Sequence, residues 1–246
     1  MRRAAAALLG IALLAGCNPG KRGGDADRPP SARDFPRADR PVSKTGATTF
    51  ASEVERDSVN EAQTVMDLAD IGEGMTVADI GAGEGYYTVR LAVRVGKKGR
   101  VLAQDIDRGA LERLGQRIER ERFDNISIKL GAPEDPGLPN ASFDRIFLVH
   151  MYHEVAEPYA FLWRLRPALR AGGKVIVVDT DRPTDRHGIA PALLFCEFAA
   201  VGFRLTEFVR KPELQGYYAQ FEAAGERPAP ADIKPCVLAG GPKAGA

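Results

Sequence analysis

The chain has 246 residues, 44% hydrophobic and 27% charged, enough to bury one full α/β core. Its 34 Lys and Arg against 33 Asp and Glu leave a formal net charge of +1, without the basic excess that extended nucleic-acid contacts need. That balance argues against a nucleic-acid partner.

In chain order, Met1-Arg-Arg is a basic tip, Ala4 to Ala15 is an apolar run too short to cross a bilayer, and Leu14-Ala-Gly-Cys17 closes it. These residues resemble the leader and lipobox of bacterial lipoproteins. The resemblance implies a signal peptide over 1–16, a lipid on Cys17 and membrane attachment on the periplasmic side. A buried amphipathic helix fits less well, because the run is apolar on all sides. Residues 17–50, rich in Pro, Gly, Arg and Asp with few large apolar side chains, are expected to form a flexible tether. A folded domain follows over 51–225, and a Pro- and Ala-rich stretch over 226–246 reads as a loose tail.

Inside the domain, Val77-Ala-Asp-Ile-Gly-Ala-Gly-Glu-Gly-Tyr86 reads as a buried strand that runs into a glycine turn and opens a helix. Glycine accepts positive φ and has no Cβ to hold a ligand away, while the first N–H groups of the helix face the same spot. Arg100 to Asp105 is a second short strand ending in a carboxylate, with Asp107 placed to cap the helix that follows. Asn125 to Leu130, Ser142 to Val149 and Lys174 to Val178 supply three further strands, alternating with helical stretches. Phe203 to Val209 and Gly216 to Glu222 are two strands close enough in sequence to pair antiparallel.

A dinucleotide-binding turn wants G-x-G-x-x-G, and its third glycine position here is Tyr86. The observed spacing, Asp79-x-Gly81-x-Gly83-x-Gly85, resembles motif I of the class I S-adenosylmethionine-dependent methyltransferases. The later strands resemble that family's later motifs over roughly residues 52 to 180. The resemblance implies a Rossmann-like, doubly wound, mostly parallel seven-stranded α/β sheet with a C-terminal antiparallel strand pair. It implies S-adenosylmethionine as cofactor, with Asp79, Gly81, Gly83 and Gly85 around its amino-acid end and Asp105 on its ribose. The family's acidic residue after the third strand is replaced by Gly131-Ala-Pro133. Glu134 and Asp135 come slightly later, either as adenine-end contacts or as solvated loop carboxylates. The residues before the first strand, Arg56 to Asp67, stand where the family places a lid and also suit an ordinary amphipathic helix.

His150-Met-Tyr-His-Glu154 stands where the fourth strand ends, at the ligand-facing edge of an open α/β sheet. His153 is the candidate catalytic base there, with capping of the next helix as its structural alternative. The pair is not H-E-x-x-H and no other ligand cluster is visible in sequence, so no metal is expected. His187 lies in a loop with no partner the sequence reveals. With Cys17 acylated, Cys196 and Cys236 are an even pair that could form a disulfide or remain a buried thiol and a free one.

Two functions follow. The first is methyl transfer to a small-molecule or lipid-like acceptor by in-line displacement. The second is a lipoprotein that keeps the fold and binds a ligand without turnover, because an exported enzyme lacks an obvious supply of the cofactor. A misassigned start, at a codon such as that of Val42 or Val54, would instead leave the chain cytoplasmic.

Overall fold

The computed structural model describes residues 25–43, 52–214 and 216–237. The expected leader and Cys17, the expected lipidation residue, lie outside them. Among the described residues no helix is long and apolar enough to cross a membrane.

Seven strands form one sheet: β1 (Thr76–Ile80), β2 (Arg100–Asp105), β3 (Ile126–Leu130), β4 (Phe143–Val149), β5 (Leu169–Asp179), β6 (Phe203–Lys211) and β7 (Gly216–Ala223). Their order is β3-β2-β1-β4-β5-β7-β6. Strands β1 to β5 are parallel, whereas β7 runs antiparallel to both β5 and β6. This is the doubly wound sheet with a C-terminal antiparallel pair that the sequence implies.

The central strands are buried on both faces, which is why they read as nearly continuous apolar runs. Side chains alternate between faces. On β4, Ile146 and Leu148 join a core with Ala78, Ile80, Val175 and Val177 under helices α5 (Pro158–Leu165) and α6 (Pro191–Ala200). Phe147 points the other way, into a core with Val77, Ile176 and Val178 under α2 (Glu61–Leu68) and α3 (Tyr86–Val95). Local signals set the helix starts. Pro158 and Pro191 open α5 and α6, Ser52 and Glu55 form a capping box on α1 (Glu53–Ser58), and the Asp107 side chain accepts from Gly109 N–H at the start of α4 (Arg108–Glu121).

Two stretches differ from expectation. Residues 25–43 fall within the expected tether, yet they pack on the domain as a strap. Two arginines account for this. Arg28 donates from Nε and Nη2 to the two carboxylate oxygens of Glu157, both at 2.7 Å, and from Nη2 to the carbonyls of Ala32 and Phe35. Arg40 donates to Glu197 at 2.7 Å and to the carbonyls of His153 and Val155, and the Tyr152 hydroxyl donates to the same Glu197. Ala32 and Phe35 add apolar burial, the latter edge-on to Trp163 at 5.5 Å. A composition too polar to fold alone is thus held by acids of the domain.

The expected loose tail is likewise packed as far as Val237. Pro228 accepts from the Trp163 indole, Arg227 stacks over the Trp163 ring, and Ile233 and Cys236 are buried. Cys236 is disulfide-bonded to Cys196 on α6, with a Cα–Cα distance of 6.0 Å.

Replacing Arg40 by Ala leaves Glu197 charged and unmatched in the core, so urea unfolding should show a loss of about 3–5 kcal/mol. The double replacement of Arg40 by Met and Glu197 by Leu should recover most of it. Thiol labelling of freshly isolated protein without reductant should find Cys196 and Cys236 unreactive. Opening their loop of about 40 residues with Cys236→Ser should remove about 2–4 kcal/mol.

Candidate functional site

The sheet order reverses beside β1, which has β2 on one side and β4 on the other, and such a reversal opens a crevice at the carboxyl ends of the strands. The turn after β1 stays tied to β2 there. Gly81 and Ala82 both donate their N–H groups to the Gln104 carbonyl, and Gly83 N–H donates to the Asp105 carboxylate at 2.8 Å. Gly83 adopts φ +54°, and a Cβ there would meet no atom of the described residues within 4 Å, which leaves the backbone open at this point. Gly85 is required for a different reason. Its φ is +90°, where any L side chain is strained, and a Cβ would lie 2.4 Å from a Leu114 methyl of α4 that would have to move aside.

Asp105 ends β2 with its second oxygen accepting from Asp107 N–H. Each carboxylate oxygen therefore makes one bond and keeps a lone pair for a ligand hydroxyl. Asp79 is buried under the turn and accepts from the Thr88 hydroxyl at 2.6 Å. Burial pushes its carboxyl up to about 6, and the Thr88 hydrogen bond offsets only part of that.

The residues before β1 form a clamp on α3 and α4. Glu53 pairs with Arg117 and Arg90, Asp57 pairs with Arg90 and accepts from the Tyr86 hydroxyl, and Arg56 lies 3.8 Å from the centre of the Tyr86 ring. Glu61 at the start of α2 is buried, which alone would raise its pKa. Hydrogen bonds from His150 and Arg56 outweigh burial and hold it at about 2. Tyr87 donates to the same carboxylate.

Glu134 and Asp135 serve the loop. Glu134 accepts from Ser31 of the strap at 2.6 Å, and Asp135 accepts from Gly137 N–H. The Gln104 side chain lies against Gly131, filling the place where a side chain at 131 would stand.

His153 is 1% exposed and its Nδ1 lies 2.9 Å from Asp179, the last residue of β5. The imidazole of His187 meets it edge to face at 5.7 Å. Sequence reasoning missed both partners. Asp179 carries the same signal as Asp105, an acid closing an apolar parallel strand, whereas His187 reaches the site only through the loop after β5. A hollow of about 520 Å³ lined by Asn60, Met66, Val89, Arg94, Arg117 and Phe123 borders the clamp but includes none of Gly83, Asp105, His153 and His187, so the strand ends locate the site.

Residues 78–177 match a family model described as a methyltransferase domain. A protein-L-isoaspartate O-methyltransferase from Methanothrix thermoacetophila is 32% identical over 111 residues, 45% of this chain and 50% of that protein. A ubiquinone/menaquinone biosynthesis C-methyltransferase from Hahella chejuensis is 27% identical over 121 residues, 49% of each chain. The chain thus spans about half the length of these relatives. A S-adenosylmethionine-dependent methyltransferase structure from Aquifex aeolicus superposes with a TM-score of 0.62 at 22% identity, over 68% of this chain and 90% of that one. The cyclase SpnF superposes with a TM-score of 0.60 at 13% identity, over 79% and 91%. With the sheet order and the glycine turn already in place, residues 78–177 read as a methyltransferase domain, and the chain has the fold of the S-adenosylmethionine-dependent methyltransferase it superposes on.

Proposed function

We propose that this protein transfers a methyl group from S-adenosylmethionine to a small-molecule or lipid-like acceptor. The observation that carries the reading is the turn at Gly83: backbone open to a ligand, directly hydrogen-bonded to a strand-end carboxylate that keeps lone pairs for ribose hydroxyls. Gly81, Gly83 and Gly85 would lie along the amino-acid end of the cofactor and Asp105 at its ribose. The bound cofactor supplies an electrophilic methyl group on a sulfonium centre. The chain's own residues supply position. Asp79, once ionised, favours the cationic amino-acid end; the clamp of α1 on Tyr86 and Arg90 holds the first turns of the helix that the glycine turn opens. His150 and Met151, at the end of β4, place the acceptor side next to Gly81, against which Met151 packs.

The likeness to a ubiquinone/menaquinone biosynthesis C-methyltransferase supports an apolar acceptor. The lipobox-like leader supports the same choice by placing the domain beside a membrane, on the periplasmic side. A ligand-binding protein without turnover is the second reading, favoured by the lipobox-like leader, since an exported domain would be cut off from cofactor made in the cytosol.

Calorimetric titration of the full chain with S-adenosylmethionine and S-adenosylhomocysteine tests this. Saturable 1:1 binding is expected, weakened at least tenfold by Asp105→Ala. Because Asp79 holds its proton up to about pH 6, affinity for S-adenosylmethionine should rise up to about tenfold between pH 5 and 7. Asp79→Asn should flatten that rise. A folded protein that binds neither ligand would remove the proposal, and binding without methyl transfer to any quinol or phenol tested would favour the second reading.

A further inference from the structure

Two buried ring nitrogens, Nε2 of His153 and Nδ1 of His187, have no hydrogen-bond partner among the described residues. They belong to one cluster. Together with a Glu154 carboxylate oxygen, their atoms all lie within 4.8 Å of one another, and that oxygen is 4.0 Å from each nitrogen. At 4.0 Å no hydrogen bond joins them. A buried polar atom left unmatched costs stability, so two of them facing one carboxylate call for an occupant.

The protonation pattern narrows its chemistry. Asp179 accepts from His153 Nδ1, with both carboxylate oxygens at 2.9 and 3.0 Å, so the proton sits on Nδ1 and the lone pair of Nε2 points into the cluster. This carboxylate–histidine arrangement is the usual outer support of a metal-bound imidazole. With His187 as its Nε2–H tautomer, the cluster presents three acceptors. A water has two protons to offer them, whereas a divalent cation satisfies all three. Two imidazoles and one carboxylate suit zinc and its transition-metal neighbours better than calcium or magnesium. Bonds of roughly 2.1 Å in tetrahedral geometry put donors about 3.4 Å apart, so the 4.0 Å separations close with small side-chain rotations.

The backbone is held as such a site needs. His187 sits at φ +53°, and its N–H donates to Ser43 Oγ at 3.0 Å. Ser43 in turn donates to the Thr184 carbonyl, and Arg40 donates to the carbonyl of His153. One strap therefore fixes both histidine-bearing segments, which join only after β4 and β5.

We propose that His153, Glu154 and His187 bind one divalent transition-metal ion of the zinc class, with Asp179 orienting His153. Three protein donors leave a fourth position open for an exogenous ligand. His153 is then a ligand, in place of the general base that its position in sequence suggests. The metal site stands independently of methyl transfer; that its open position holds an acceptor oxygen rests on the function proposed above.

The full chain, purified without a histidine tag and treated with chelator, should take up one Zn(II) per molecule in competition with a chromophoric chelator. Co(II) in its place should give the visible bands of a low-coordinate site. His187→Gln and, separately, Glu154→Gln should each weaken uptake about 100-fold, and Asp179→Asn about 10- to 100-fold. Both primary variants alter partly exposed side chains, and unfolding temperatures matching that of chelated wild type would show that they fold. Wild type that takes up no ion, or variants that bind as tightly as wild type, would overturn the site whatever the cofactor titration shows.

Discussion

The constraint on which the structure depends is that five parallel strands end at one edge while their hydrogen-bond ladders continue into the loops beyond. Gly81 and Ala82 bond to the Gln104 carbonyl, Gly131 to that of Asp105, and His150 to that of Val178. Backbone groups leaving a buried sheet must find partners, and here those partners are the neighbouring strand ends. The turn, the Asp105 carboxylate and the histidines are therefore fixed in register with the core. A shift of one residue in β1 would exchange Val77 and Ala78 between the two cores and carry the site with it.

Chemistry at that edge works against stability. Asp79 is nearly inaccessible and its carboxyl is raised to about 6 by burial. The native state holds this proton while an unfolded chain has released it above about pH 4, so the stability it allows is full at acid pH. It falls as pH rises to 6, by on the order of 3 kcal/mol. The strap is ionic too, with Arg40 and Glu197 both almost wholly buried. Such pairs are poor sources of net stability but fix geometry, because each partner has one acceptable place.

Much of this was legible in the sequence because it is written in local patterns. The strand-turn-helix at 77–86 shows in its apolar run and glycines, Asp107 in its position before α4, and the antiparallel pair in its short connection. The strap was not legible. Polar composition reads as a tether when the acids that hold it, Glu157 and Glu197, are more than a hundred residues away. His187 escaped for the same reason: only the fold brings the loop after β5 to the turn after β4. Glu134 has the right type for a ligand contact, and one of its oxygens accepts from a serine of the strap that nothing in the sequence places there.

The central claim is that the turn at Gly83 and the carboxylate of Asp105 form one cofactor site facing the histidine edge. A crystal structure of the full chain with S-adenosylhomocysteine tests it most directly. The ribose hydroxyls should lie on Asp105, the amino-acid end along Gly81 and Gly83, and the sulfur should turn toward the end of β4. A ligand bound elsewhere, with Asp105 contacting only Gly83 and Asp107, would contradict it.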